Sequence, residues 1–211
     1  MTNVLIVEDQ EMTRRLLELL LEGAAEYRVI RAIPNAEMAL FYCDRGDVDL
    51  VLMDVCTEMD ASGLDAAARI KEKHPDIKVI IVTSIPEFSW LERARAAGAD
   101  SFWYKNVSRA PLIEIMDRTM RGESVYPDET PPVTIGLASS KEFSTRELEI
   151  LRELTGGASN QEIGRALGIS PLTVKTHVKN MLDKTGFHTR TELAVEARRL
   201  GLVIKDKPGN N

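Results

Sequence analysis

Asp49-Leu50-Val51-Leu52-Met53-Asp54 is the stretch whose reading decides the fold. Four apolar residues in a row end in a carboxylate. A short apolar run of this kind reads as a strand buried on both faces, with Asp54 where the strand leaves the core. The pattern recurs. Val4-Leu5-Ile6-Val7 ends in Glu8-Asp9, Val79-Ile80-Ile81-Val82 ends in Thr83, and Phe102-Trp103-Tyr104 ends in Lys105. If these strands are parallel in one sheet, their polar ends meet on one rim, which is where open α/β sheets bind ligands. The candidate site is three carboxylates, a hydroxyl and an ammonium.

Working outward, residues 1–121 alternate strand and helix five times. Strands are expected near 3–8, 28–33, 48–54, 77–83 and 100–105, and helices near 10–22, 35–44, 64–73, 87–97 and 108–121. The first helix places Met12, Leu16, Leu19 and Leu20 on one apolar stripe. Pro75 and Gly98 stop the third and fourth helices. Five such units with right-handed crossovers give a doubly wound, flavodoxin-like parallel sheet of order 2-1-3-4-5, with the third strand central. Neighbouring strands lie about 4.8 Å apart. The first and fourth strands flank Asp54, so the short side chains of Asp9 and Thr83 suffice there. The fifth strand is two spacings away, roughly 9–10 Å, and Lys105 is long enough to reach back.

The chain has 211 residues, 44% hydrophobic and 28% charged, which suits one large soluble domain or two small ones. No apolar run approaches the roughly 18 residues of a membrane span, and no signal segment precedes the first strand, so a cytoplasmic protein is expected. Cys43 and Cys56 are the only cysteines and are expected to be plain thiols, with no zinc motif. The net charge of −6 is uneven. Residues 1–125 carry 15 Lys/Arg against 22 Asp/Glu, whereas residues 142–200 carry 9 against 8. Within 170–190, Lys175, Lys179, Lys184 and Arg190 face a single acid, Asp183. An acidic first part and a locally basic second part imply different partners.

Three carboxylates at one rim repel one another and call for a counter-charge. A small hard cation with oxygen ligands supplies it, and Mg²⁺ often binds through carboxylates together with a substrate phosphate. Asp54 can then act as an aspartyl nucleophile toward a phosphoryl group, with Mg²⁺ and Lys105 offsetting the transferred charge. Glu8-Asp9, Asp54, Thr83 and Lys105 resemble the acid pair, phosphoacceptor, switch hydroxyl and lysine of a two-component receiver domain. The resemblance covers about 1–121. It implies that Asp9, Asp54 and the backbone carbonyl of Cys56 hold Mg²⁺, with Glu8 assisting. It also implies that the phosphoryl donor is a phosphohistidine on a sensor histidine kinase. Phe102, three before Lys105, matches the aromatic whose rotamer follows Thr83, without the hydroxyl of the usual tyrosine. One departure stands out. Receivers usually carry a Met-Pro pair after the phosphoacceptor; here Thr57-Glu58 replaces it and Gly63 comes one residue late. The loop Val55–Ser62 is longer and more acidic, which bears on the rate and lifetime of phosphorylation.

Residues 123–141, with Pro127, Pro131 and Pro132, read as an extended, partly stiff linker between a receiver domain (1–122) and a second domain (142–205). That second domain reads as helical throughout. Ser144-Thr-Arg-Glu147, Ser159-Asn-Gln-Glu162 and Thr189-Arg-Thr-Glu192 each fit a capping box, and Ser170-Pro171 gives an N-cap followed by proline. Glycines at 156, 157, 168 and 186 supply stops. Four helices are expected near 145–155, 160–167, 171–184 and 190–200. The middle pair, joined at Gly168-Ile169, has helix-turn-helix punctuation. On the longer helix Val174, Val178, Met181 and Leu182 form a core stripe, leaving Lys175, Thr176 and Lys179 on a face suited to a DNA major groove. Ser159-Asn-Gln-Glu162-Ile163 and Thr173-Val174-Lys175-Thr176-His177 resemble the LuxR-type helix-turn-helix. In that family the residues matching Lys175, Thr176 and Lys179 face DNA, and the last helix helps dimerise.

Taken together, the chain resembles a NarL/FixJ-type response regulator. The resemblance implies that Asp54 is phosphorylated with Mg²⁺, that Thr83 and Lys105 are drawn inward, and that Phe102 repacks with the surface between the fourth helix and fifth strand. Contact with the second domain then loosens and a homodimer binds paired half-sites to regulate transcription. Such a chain is a phosphoryl acceptor, not a turnover enzyme. An atypical receiver controlled without phosphorylation is the alternative. A phosphatase of haloacid dehalogenase type would want a second Asp at position 56, which is Cys.

Overall fold

The computed structural model describes residues 1–105 and 111–204. By its contacts the chain divides into two compact units, Met1–Ser84 with Ser89–Glu129, and Ile85–Phe88 with the residues from Thr130 onward.

The first unit runs β1 (Thr2–Val7), α1 (Glu11–Glu22), β2 (Tyr27–Ile33), a 3-10 turn (Ala36–Met38) continuing into α2 (Ala39–Cys43), β3 (Leu50–Met53), β4 (Cys56–Thr57), β5 (Ala61–Ser62), α3 (Gly63–Lys73), β6 (Lys78–Thr83), α4 (Trp90–Ala96), β7 (Ser101–Tyr104) and α5 (Leu112–Met120). The main sheet has five strands in the order β2-β1-β3-β6-β7, all parallel. This is the expected 2-1-3-4-5 order. Leu50, Val51, Leu52 and Met53 are buried to the last residue, because α-helices cover the central strand on both faces. β4 and β5 are a two-residue-per-strand hairpin in the loop after Asp54, too short to leave a periodic signal. The start of the last receiver helix expected at 108, and the end of the second domain expected at 205, lie outside the described residues.

The stripe on α1 is not the one that packs inward. Leu17 and Leu21 are buried, while Met12, Leu16, Leu19 and Leu20 are 80, 62, 47 and 44% exposed. The apolar arc of this helix is wider than the sheet can cover, and periodicity alone does not say which half of it faces the core.

The second unit contains β8 (Thr134–Ile135), β9 (Ala138–Ser139), a 3-10 turn (Ser140–Glu142) and four helices: α6 (Thr145–Thr155), α7 (Asn160–Leu167), α8 (Pro171–Thr185) and α9 (Arg190–Arg199). All three capping boxes form, and Ser139 with Glu142 makes a fourth. Its core joins Ile150, Leu151, Ile163, Val174, Met181, Leu193 and Ala197. The segment 123–141 carries more structure than an extended connector. The N–H of Phe102 donates to the Val125 carbonyl (2.9 Å), and Tyr126 donates to the Ala99 carbonyl (2.8 Å), so the first part lies along the first unit. Ile135 and Ala138 are buried in the core of the second.

Candidate functional site

Asp54 follows β3 directly and its N–H donates to the carbonyl of Val7 in β1 (2.9 Å). Its Oδ1 accepts from the N–H of Val55 (2.8 Å), which fixes the carboxylate's rotation. The chain then turns back so closely that Gly63 meets it: a Cβ at Gly63 would lie 1.9 Å from the Asp54 carbonyl oxygen. The late glycine is thus required by the backbone here. The hairpin between them is fastened sideways. Thr57 Oγ1 accepts from Ala36 N–H (3.0 Å) and donates to the Ala61 carbonyl (2.9 Å), and Asn35 Nδ2 donates to the Glu58 carbonyl (3.1 Å). Cys56 occupies β4 of this hairpin.

Glu8, Asp9 and Asp54 bring one carboxylate oxygen each within 4.8 Å of one another. Glu8 and Asp54 are buried and Asp9 is partly exposed. Lys105, anchored by its N–H to the Thr83 carbonyl (2.9 Å), reaches across β6 to Asp54 Oδ2 (3.1 Å) and pairs closely with Glu8. With all three acids ionised, one ammonium leaves two negative charges, the complement of one divalent cation. The donor set is all oxygen, which suits a small hard ion such as Mg²⁺. Burial, with the Glu8 charge adding to it, pushes the Asp54 carboxyl up to about 7 against the opposing pull of Lys105. Thr83 is buried at the end of β6, in register with Tyr104 of β7. Phe102 is buried with its ring centroid 4.9 Å from that of Tyr104.

Glu8, Asp9, Asp54 and Lys105 therefore meet at one rim, with Thr83 at the end of the neighbouring strand β6 and Cys56 in the hairpin after Asp54; Phe102 lies further back in β7, in register with Ile81. Two further residues were missed. Arg14, on the first turn of α1, donates to the carbonyls of Glu8 (2.7 Å) and Asp9 (3.2 Å), holding the acid pair's backbone. A cation one helical turn past an acid pair was the available signal. Tyr104 is a fully buried aromatic next to Lys105, in register with Thr83 and packed against the Phe102 ring; its place in a strand-end apolar run gave no hint of that.

In the second unit, Gly168 adopts φ 67° and turns the chain from α7 to α8, where the Ser170 side chain caps the helix by accepting from Thr173 N–H (3.0 Å). Val174, Val178 and Met181 are buried, and Leu182 is partly so. Lys175, Thr176 and Lys179 are exposed on the opposite side, with Thr176 Oγ1 donating back to the Leu172 carbonyl (3.1 Å). Among the described residues no helix is long and apolar enough to cross a membrane.

Comparison with known proteins agrees with this geometry. Residues 4–117 match the response regulator receiver domain, and residues 141–197 match the bacterial regulatory proteins of the luxR family. The response regulator protein VraR of Staphylococcus aureus (strain Mu3 / ATCC 700698) is 34% identical over 208 residues, covering 95% of this chain and 98% of VraR. Among solved structures, two RcsB dimers bound to two parallel DNAs align with TM-score 0.63 at 18% identity, over 93% of this chain and 98% of RcsB, a likeness of fold. A DNA-binding response regulator of the LuxR family from Staphylococcus aureus aligns with TM-score 0.53 at 27% identity, over 57% of this chain and 99% of that one. With a receiver sheet carrying its acidic rim, a helix-turn-helix later in the sequence and a response regulator 34% identical and covered to 98% of its length, the chain belongs to the two-component, DNA-binding response regulators of the NarL/FixJ type.

Proposed function

We propose that Asp54 accepts a phosphoryl group from a phosphohistidine of a sensor histidine kinase, and that the modified protein regulates transcription as a homodimer on paired DNA half-sites. The observation that carries this is the convergence of Glu8, Asp9 and Asp54 within 4.8 Å, with Lys105 bridging two of them. Glu8, Asp9, Asp54 and the Cys56 carbonyl would hold Mg²⁺, which, when bound, offsets charge on the transferred group. An Asp54 carboxylate oxygen bonds to phosphorus as the phosphorus–nitrogen bond of the donor breaks, and the imidazole leaves with the electron pair. The acyl phosphate carries about −1.5 to −2 of charge where the free carboxylate carried −1. Lys105 then exchanges part of its contact with Glu8 and Asp54 for phosphoryl oxygens, and the Thr83 hydroxyl donates to another. Phe102, packed against Tyr104, follows Thr83 through packing alone.

On the DNA side, Lys175 and Lys179 pair with phosphates and Thr176 approaches a base edge as α8 enters the major groove. Such a regulator works in the cytoplasm, where its DNA is, and serves as an acceptor without enzymatic turnover. Incubation with acetyl phosphate and Mg²⁺ followed by intact-mass measurement tests the covalent step. The native chain gains one phosphoryl group and Asp54→Ala gains none. A native chain that stays unmodified, or an Asp54→Ala chain that gains equally, refutes it; the first result turns the account toward control by protein contact.

A further inference from the structure

Thr57-Glu58 stands where receivers usually carry a Met-Pro pair. Proline stiffens a loop through its fixed φ but has no N–H to donate. Here the Glu58 N–H donates to the Pro34 carbonyl (3.1 Å), a bond proline cannot make. Asn35 Nδ2 donates to the Glu58 carbonyl (3.1 Å), and Asn35 Oδ1 accepts from the Glu37 N–H (2.8 Å). Thr57 Oγ1 accepts from the Ala36 N–H (3.0 Å) and donates to the Ala61 carbonyl (2.9 Å), so one hydroxyl ties the β4–β5 hairpin to itself and to the turn before α2. Both Asn35 and Thr57 are buried. Cross-loop hydrogen bonds do in this chain what a rigid proline does elsewhere.

We infer that Thr57, assisted by Asn35, is a positioning residue for Mg²⁺, because it fixes the Cys56–Thr57 peptide whose carbonyl is the backbone ligand. The inference rests on the Mg²⁺ reading of the acidic rim and names what sets its ligand on the loop. The carboxylates are placed by the sheet: Glu8 and Asp9 follow β1 and Asp54 follows β3. The Cys56 carbonyl belongs instead to a two-residue strand of the hairpin, paired only with Ala61–Ser62 in its ladder. A carbonyl offers an ion a dipole and no net charge, so its contribution depends on being set in place beforehand.

The loop is fixed on both sides of that peptide. Before it, the Val55 carbonyl accepts from the Gly63 N–H (2.8 Å) and the Val55 N–H donates to Asp54 Oδ1 (2.8 Å). After it, the Thr57 hydroxyl makes its two bonds. Two residues further on, exposed Met59 takes φ 61°. That left-handed conformation is costly for a residue with a side chain and persists where surrounding contacts over-determine the turn. The bonds at Thr57 and Glu58 are such contacts. A hydroxyl donates and accepts from one atom. Serine can therefore take over the role of Thr57, and valine, of the same shape, cannot.

Isothermal titration calorimetry of the full chain with MgCl₂ at pH 8 tests this on four proteins: native, Thr57→Ser, Thr57→Val and Asn35→Ala. Circular dichroism checks that each is folded; if Thr57→Val is not, Asn35→Ala decides. The expected result is Mg²⁺ binding about tenfold weaker in Thr57→Val and Asn35→Ala, and within about twofold of native in Thr57→Ser. The rate of modification by acetyl phosphate, read by intact mass, should fall in Thr57→Val at limiting Mg²⁺ and recover when Mg²⁺ is saturating. Native-like Mg²⁺ affinity in Thr57→Val and Asn35→Ala overturns the inference. So does a Thr57→Ser chain no better than Thr57→Val, or a rate that stays depressed at saturating Mg²⁺, which marks a general loss of loop structure. A native chain that takes no Mg²⁺ refutes the reading of the acidic rim itself, and this inference with it.

Discussion

Asp54 is a carboxylate kept largely out of water beside another acid and one ammonium, and that environment sets its proton affinity. Its pKa rises from 3.8 to about 7, chiefly because burial disfavours the charged form. Between those pH values the unfolded chain has released a proton that the folded chain keeps, so this group's contribution to stability falls as pH rises. Asp54→Asn removes that cost. Without Mg²⁺, thermal unfolding should show the variant more stable than the native chain by about 1–4 kcal/mol above pH 7, with the gap closing toward pH 4. A gap that is constant or widens on acidification would contradict the account. The same proton must leave before Asp54 can ligate a metal, so Mg²⁺ affinity, followed by tryptophan fluorescence, should rise from pH 6 to pH 8 in the native chain. At this scale the sequence was most readable where a residue's length or charge decided its place. Lys105 was identified by reach. Arg14 was not, because its role is to hold two backbone carbonyls, and carbonyls carry no sequence identity.

At the scale of elements, two glycines position the two sites. A Cβ at Gly63 would lie 1.9 Å from the Asp54 carbonyl oxygen, and one at Gly164 would lie 2.7 Å from the Ile169 carbonyl oxygen in the turn before α8. Both obstacles are backbone, so they yield only by moving the element. Gly63→Ala should abolish phosphoryl acceptance, read by intact mass, while leaving in place the DNA binding that the unphosphorylated chain shows. Gly164→Ala should destabilise the second unit by about 1–3 kcal/mol and weaken DNA binding while Asp54 still accepts phosphate. Crossed effects would show that the two sites are not carried by separate units. The strands were legible because each is a continuous apolar run ending in a polar residue, and the helices of the second unit because capping boxes mark their starts. Which part of α1 faces the core was not legible, since an apolar arc spanning both Leu17 and Met12 has no internal cue to its buried half. The hairpins at 56–62 and 134–139 are two residues per strand, shorter than any period.

Across the whole molecule, charge is divided as the sequence showed: an acidic receiver with a net carboxylate pocket, and a second unit whose exposed α8 face carries Lys175 and Lys179. Phosphate contacts release counterions, so affinity for DNA should fall linearly in log–log form with salt, and loss of either lysine should reduce the slope by about 1. Binding that is insensitive to Lys175→Ala and Lys179→Ala would place the interface elsewhere. The two-part plan was readable from the break in periodicity after 121, but the packing of 124–126 and 134–139 onto their respective units was not, because it rests on backbone hydrogen bonds and on two small apolar contacts, Ile135 and Ala138. The account's central claim is that a covalent anion at the acidic rim governs the grip of a basic helix on a duplex. Footprinting on the protein's own promoter region tests it most directly. Protection should strengthen with acetyl phosphate and Mg²⁺ in the native chain and stay unchanged in Asp54→Ala; equal strengthening in both, or none in a native chain shown to be phosphorylated, would contradict it.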